Sequence, residues 1–164
     1  MLTQTLLKFL ALAVAVSAIQ IQSADPSIFD AKRVACVAVK ENREAAPVTL
    51  QNCLPGGDAA SYDWAIPLES GKPNGAQQIR IFGDQCLEVK DSLDEEGQAV
   101  QIGPCWPGRV SENDNQLWTF DKYSHFRWGN TNSCLDLAST QNGAALVLNP
   151  CYTRSTTQGW TLKL

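Results

Sequence analysis

Three short runs of β-forming residues recur along the chain: Val48-Thr49-Leu50, Ala99-Val100-Gln101-Ile102 and Ala144 to Leu148. Turn residues stand before two of them, Gly97 in one case and Asn142-Gly143 in the other, and together they predict short strands joined by tight turns. No window beyond the first residues sustains a helical stripe. The pattern predicts an all-β protein, closed or capped so that few strand edges stay unpaired.

The lead-ins to these runs also repeat. IFDAKRVACVAV from Ile28, IRIFGDQCLEV from Ile79 and FRWGNTNSCLDL from Phe126 share an apolar start, a polar turn, and a cysteine followed by an apolar-x-apolar triplet. The first cysteines, Cys36, Cys86 and Cys134, are nearly evenly spaced, and each is followed at a similar distance by a second, Cys53, Cys105 or Cys151. Each copy closes on a tryptophan, at Trp64, Trp118 and Trp160. Matching landmarks in three copies define an internal repeat, which outranks local propensity as evidence for a fold. The repeats run from about 28–78, 79–125 and 126–164.

Six cysteines can pair in several ways and spacing alone does not choose, but the threefold regularity favours pairing within each repeat: Cys36 with Cys53, Cys86 with Cys105, Cys134 with Cys151. A zinc site is disfavoured, because there is no C-x-x-C and His125 is the one histidine. Paired cysteines imply an oxidising compartment, and the first residues agree. Met1 to Lys8 carries one positive charge, Phe9 to Val16 is a short apolar run, and Val16 and Ala18 are the small residues that signal peptidase reads. Residues 1–18 are therefore expected to be a secretory signal peptide, and 19–27 a leader before the repeats. The apolar run is well short of the roughly 20 residues of a membrane-spanning helix, so no membrane insertion is expected. Secretion is.

Composition narrows the partners. The 164 residues include 13 basic and 17 acidic ones, with 44% hydrophobic, enough for a single domain. The formal charge of -4 and the lack of a basic stripe argue against nucleic acid.

The triple repeat, the Cys-Leu-Asp-Leu at Cys134, the Asn-Gln-Leu-Trp at Asn115 to Trp118 and the Gln-Gly-Trp at Gln158 to Trp160 resemble the ricin B-chain type lectin domain. The resemblance covers residues 28–164 and implies a β-trefoil, with the closing tryptophans in a shared core. It also implies one shallow sugar pocket per repeat. In such a pocket an acid just after the first cysteine accepts hydrogen bonds from sugar hydroxyls, an aromatic near the second cysteine stacks on the C–H face, and an Asn-Gln before the tryptophan adds polar contacts.

The copies differ in how much of this they keep. Repeat one has Ala38 for the acid, Gln51 for the aromatic and Ser61-Tyr62 for Asn-Gln, so no site is expected there. Repeat two keeps Asn115 and Gln116 but has Glu88 for Asp and Gly103 for the aromatic; the extra methylene is expected to displace the carboxylate. Repeat three keeps Asp136 and Gln158, with Asn142, Asn149 and Thr157 as further polar contributors. It is the best candidate, and repeat two a weaker one. Both lack the stacking ring, but Trp106 and Tyr152 follow the second cysteines directly and could fold over the pocket mouths if Pro104 and Pro150 end the strands.

The resemblance implies a galactose or N-acetylgalactosamine-type ligand, glycans or glycoproteins as partners, no cofactor, and self-association as one route to avidity. No Ser-His-Asp or Cys-His arrangement supports catalysis, and Asp91, Asp94, Glu95 and Glu96 read as a solvated loop rather than a hydrolytic pair. A secreted scaffold that inhibits a protease or engages a protein through its loops is the main alternative, and a small secreted enzyme a remote one.

Overall fold

The structure, a computed structural model, describes residues 18–29, 33–53, 61–69, 72–73, 75–107 and 115–164. The apolar run of the expected signal peptide lies outside the described residues. Among the described residues, no helix is long and apolar enough to cross a membrane.

Three hairpins carry the architecture. Strands β2 (Ala35–Val39) and β3 (Val48–Asn52) form the first, β8 (Gln85–Val89) and β9 (Gln98–Pro104) the second, β12 (Ser133–Leu137) and β13 (Leu146–Pro150) the third. Each sets its first cysteine opposite the residue two before its second: Cys36 pairs with Gln51, Cys86 with Gly103, Cys134 with Asn149. All three disulfides form within their repeats, at sequence separations of 17, 19 and 17. Loops of this length contribute about 3 kcal/mol each in the chain-entropy model.

The hairpins meet around a pseudo-threefold axis. Pro47 bridges to Gln101, Val147 pairs with Ala99, and Thr49 bridges to Ala145. The turns lock this contact in a cycle: Ala45 N–H donates to the Ile102 carbonyl, Gly97 N–H to Leu148, and Gly143 N–H to Leu50, at 2.9, 2.8 and 2.7 Å. All three donors have positive φ, which glycine adopts freely and alanine does not.

The remaining strands are short. They include β1 (Gln20–Ser23), β4 (Leu68–Glu69), β5 (Lys72–Pro73), β6 (Ala76–Gln77), β7 (Arg80–Ile81), β10 (Trp118–Phe120), β11 (Phe126–Trp128) and β14 (Trp160–Lys163). β1 pairs with both β14 and β2, closing the end of the chain onto its beginning. This corrects the expected start of the first repeat. Gln22 pairs with Cys36 as Arg80 does with Cys86 and Arg127 with Cys134, so Gln20–Ser23, placed in a leader by the sequence, supplies the first repeat's opening strand.

One core unites the repeats. Trp64, Trp118 and Trp160 are fully buried in it, and their indole N–H groups donate to the carbonyls of Val37, Leu87 and Leu135 at 2.8, 2.9 and 3.2 Å. Each of these carbonyls belongs to the residue after a first cysteine, so the closing tryptophan fixes its own hairpin. Trp128 also belongs to the core. The all-β, threefold, disulfide-stapled arrangement is a β-trefoil, the fold that the resemblance implies.

Candidate functional site

The site in repeat three begins with the strand period. Cys134 and Asp136 share one face of β12, and Asn149 stands across from Cys134, so Asp136 and Asn149 are diagonal neighbours on that face. Asp136 is buried and its carboxylate is held by three donors. Leu137 N–H donates to Oδ1 at 2.7 Å, and Asn149 Nδ2 and Gln158 Nε2 donate to Oδ2 at 2.9 Å each. Gln158 is fully buried and acts as a brace. Its amide also donates to the Pro150 carbonyl, and its Oε1 accepts from Tyr152 N–H at 2.8 Å.

Repeat two builds the same brace from different residues. Glu88 is buried; its Oε1 accepts from Gln101 Nε2 at 2.9 Å, and its Oε2 from Gln116 Nε2 at 2.9 Å and Asn115 Nδ2 at 3.3 Å. Gln116 donates to the Pro104 carbonyl and accepts from Trp106 N–H at 3.0 Å. The longer acid keeps the brace intact: Gln116 lies as close to Glu88 as Gln158 does to Asp136. The reason is Gly103. A Cβ there would lie 2.5 Å from both Glu88 carboxylate oxygens, so the glycine leaves the volume into which the extra methylene folds the carboxylate.

Repeat one has neither acid nor amide. Ala38 and Tyr62, at the positions of the acid and the brace, pack with Cys36, Cys53 and Val34 in a small apolar cluster. A polar pair has been exchanged for an apolar one, which leaves no buried donor unpaired.

The other expected residues divide. Asn142 is drawn away from Asp136: its Oδ1 accepts from Asn52 N–H in repeat one. Asn149 both caps Asp136 and accepts from Gly97 N–H at 2.9 Å, tying repeat three to repeat two. Thr157 interacts with Ser155, Oγ to Oγ at 3.0 Å. Strands β9 and β13 do end at Pro104 and Pro150, and the rings beyond them are open to solvent, Trp106 at 56% and Tyr152 at 59% of their surfaces. Two contributors escape a reading of motifs alone. Gln101 pairs with Glu88 across the hairpin, and Gln78 donates to both the Trp106 carbonyl and Gln116 Oε1, fixing Trp106 from its second side. Only the register between strands brings them in.

Among the described residues each carboxylate accepts three bonds, all from neutral N–H groups, and a carboxylate has about four acceptor positions. Among the described residues no group of three or more His, Cys, Asp or Glu is arranged to hold a metal ion.

Residues 75–163 match the family described as the Ricin-type beta-trefoil lectin domain. The chain is 30% identical over 86 residues to the Beta-galactoside-specific lectin 2 of Viscum album; the match takes in 51% of this chain and 14% of that protein, so the chain spans a small part of this relative. Among solved structures, the designed threefold-symmetric protein ThreeFoil superposes with a TM-score of 0.66 at 19% identity, covering 88% of this chain and 96% of that one. The Polyporus squamosus lectin, bound to the epitope Neu5Aca2-6Galb1-4GlcNAc, gives 0.65 at 19% identity over 89% of this chain and 48% of its own. At such identities these two show the fold.

Proposed function

Since the chain belongs to the ricin-type β-trefoil lectin family, we propose that it is a secreted, non-enzymatic lectin that binds galactose or N-acetylgalactosamine-type glycans through repeats three and two. The observation that carries this reading is the repeated brace of acid, glutamine and ring-bearing backbone. Asp136, Gln158 and Tyr152 in one repeat match Glu88, Gln116 and Trp106 in the other, each ending on an exposed aromatic. A buried acceptor and a ring held at a fixed offset are what a sugar needs: a partner for a hydroxyl and a platform for its C–H face. Asn115 supplies an additional amide in repeat two, where Thr157 supplies a hydroxyl in repeat three. A galactoside-binding relative favours the galactose class.

Removing the acids is a poor first test, because it strands buried amides. The exposed rings can be removed without opening the core. Calorimetric titration with galactose, N-acetylgalactosamine and lactose should show millimolar binding, the range that about 4 kcal/mol supports. Tyr152→Ala or Trp106→Ala should each cost the corresponding repeat about 1 kcal/mol of binding, roughly a fivefold loss, and the double variant should show that loss at both repeats. Unchanged binding in the double variant would remove the rings from the site, and absence of binding by the wild type would remove the lectin reading.

A further inference from the structure

Beside repeat three lies a cleft that the acid, brace and ring do not use. It is shallow, about 400 Å³, and its walls are Ala24, Asp25 and Pro26 on one side and Ser155, Thr156 and Gly159 on the other. Both walls are fixed. Ala24 N–H donates to the Gly159 carbonyl at 2.9 Å, and a Cβ on Gly159 would meet the Ala24 methyl at 3.3 Å, so the two segments cross closely at the cleft floor. The second wall is the same short loop that carries Tyr152 and Gln158: Ser155 N–H donates to the Tyr152 carbonyl at 2.9 Å, and Thr157 N–H to Ser155 Oγ.

Asp25 is set in place on the first wall. Its N–H donates to Ser23 Oγ, its carbonyl accepts from Ile28 N–H, and its Oδ1 accepts from Ser27 N–H at 2.8 Å. Ser27, through its hydroxyl and then its backbone N–H, holds the Asp25 carboxyl below its usual range, so the group is ionised and accepts only. The walls thus combine a pre-positioned acceptor with the hydroxyls of Ser155 and Thr156, and among the described residues no cationic side chain lines them. Arg154 belongs to the loop but not to the lining.

We propose that this cleft is an extension subsite of repeat three, which takes the second or third residue of a neutral oligosaccharide and discriminates against acidic ones. The inference rests on the lectin reading of repeat three. A sugar on Tyr152 that continues along the loop passes Ser155 and Thr156 and meets Asp25, which accepts a hydroxyl in a charge-assisted bond. A sialic acid carboxylate in the same place meets the like charge of Asp25.

The test uses galactose, the neutral tetrasaccharide lacto-N-neotetraose and 6′-sialyllactose as probes of the intact protein. The tetrasaccharide should bind about tenfold more tightly than galactose, the equivalent of one charge-assisted bond, and more tightly than 6′-sialyllactose. Asp25→Ala should leave galactose binding unchanged and bring the tetrasaccharide down to the galactose value. Because Asp25 also caps its own turn, Thr156→Tyr, which fills the cleft from the opposite wall, must give the same result. Galactose binding with no advantage for the tetrasaccharide, or an advantage that survives in either variant, overturns the subsite while leaving the lectin reading in place. If galactose itself does not bind, both fall.

Discussion

At the scale of the residue, Glu88 and Gly103 form a matched pair, and so do Asp136 and Asn149. The longer acid goes with the missing side chain, the shorter acid with an amide that fills the space and caps the carboxylate. Gly103→Ala should therefore destabilise the protein by about 1–3 kcal/mol, since its Cβ pushes a carboxylate off three amide donors. Urea unfolding would measure it, and adding Glu88→Asp in the same chain should recover most of the loss. The acid, the glutamine and the tryptophan of repeats two and three were legible in the sequence because they sit at fixed offsets from a cysteine. The pairing of Glu88 with Gly103 and Gln101 was not, because it depends on which residues face each other across the hairpin. The partner of Asn142 was hidden for the same reason: its Asn-Gly turn was legible, but Asn52 is ninety positions away in another repeat.

At the scale of the element, the three hairpin turns do the same work with unequal residues. Gly97 and Gly143 hold φ of 79° and 88°, and Ala45 holds 59° in the equivalent place. Alanine is strained there by about 1–2 kcal/mol, part of which glycine returns as greater freedom of the unfolded chain. Ala45→Gly should raise stability by about 0.5–1 kcal/mol, read as a higher melting temperature with an unchanged fold. Glycine marked two of the turns in the sequence, and the third had no such mark. Strand β1 escaped for a related reason. Gln20–Ser23 is short and mostly polar, only Ile21 is a large buried apolar residue, and the apolar start at Ile28 offered a more conspicuous match to the other lead-ins.

At the scale of the whole molecule, the cysteines and the tryptophans divide the task of stability. The tryptophans anchor each hairpin to the common core, while each disulfide closes its own hairpin. Three closures at about 3 kcal/mol each are comparable to the whole stability of a typical domain, about 5–15 kcal/mol. Reduction under native conditions should therefore unfold the chain, seen as loss of the near-ultraviolet circular dichroism of the buried tryptophans, whereas a retained signal would assign stability to the core alone. The threefold repeat made the three-part all-β organisation legible from sequence spacing, and the motifs it carries made the trefoil legible by resemblance. Function was less legible, because a copy can keep the fold while exchanging its polar pair for Ala38 and Tyr62.

In the proposed reading, sugar binds over the exposed rings held by the acid and glutamine braces. Its most direct test is the indole N–H spectrum of the five tryptophans during titration with galactose and lactose. Trp106 reports on repeat two from an exposed position, and Trp64, Trp118 and Trp160 are buried internal references. The Trp106 indole should shift and saturate, together with the Tyr152 amide of repeat three, while the three buried indoles stay in place. If no sugar moves Trp106 or Tyr152, the trefoil stands but the braces are struts of the fold alone, and the loops, with a protein partner, become its working surface.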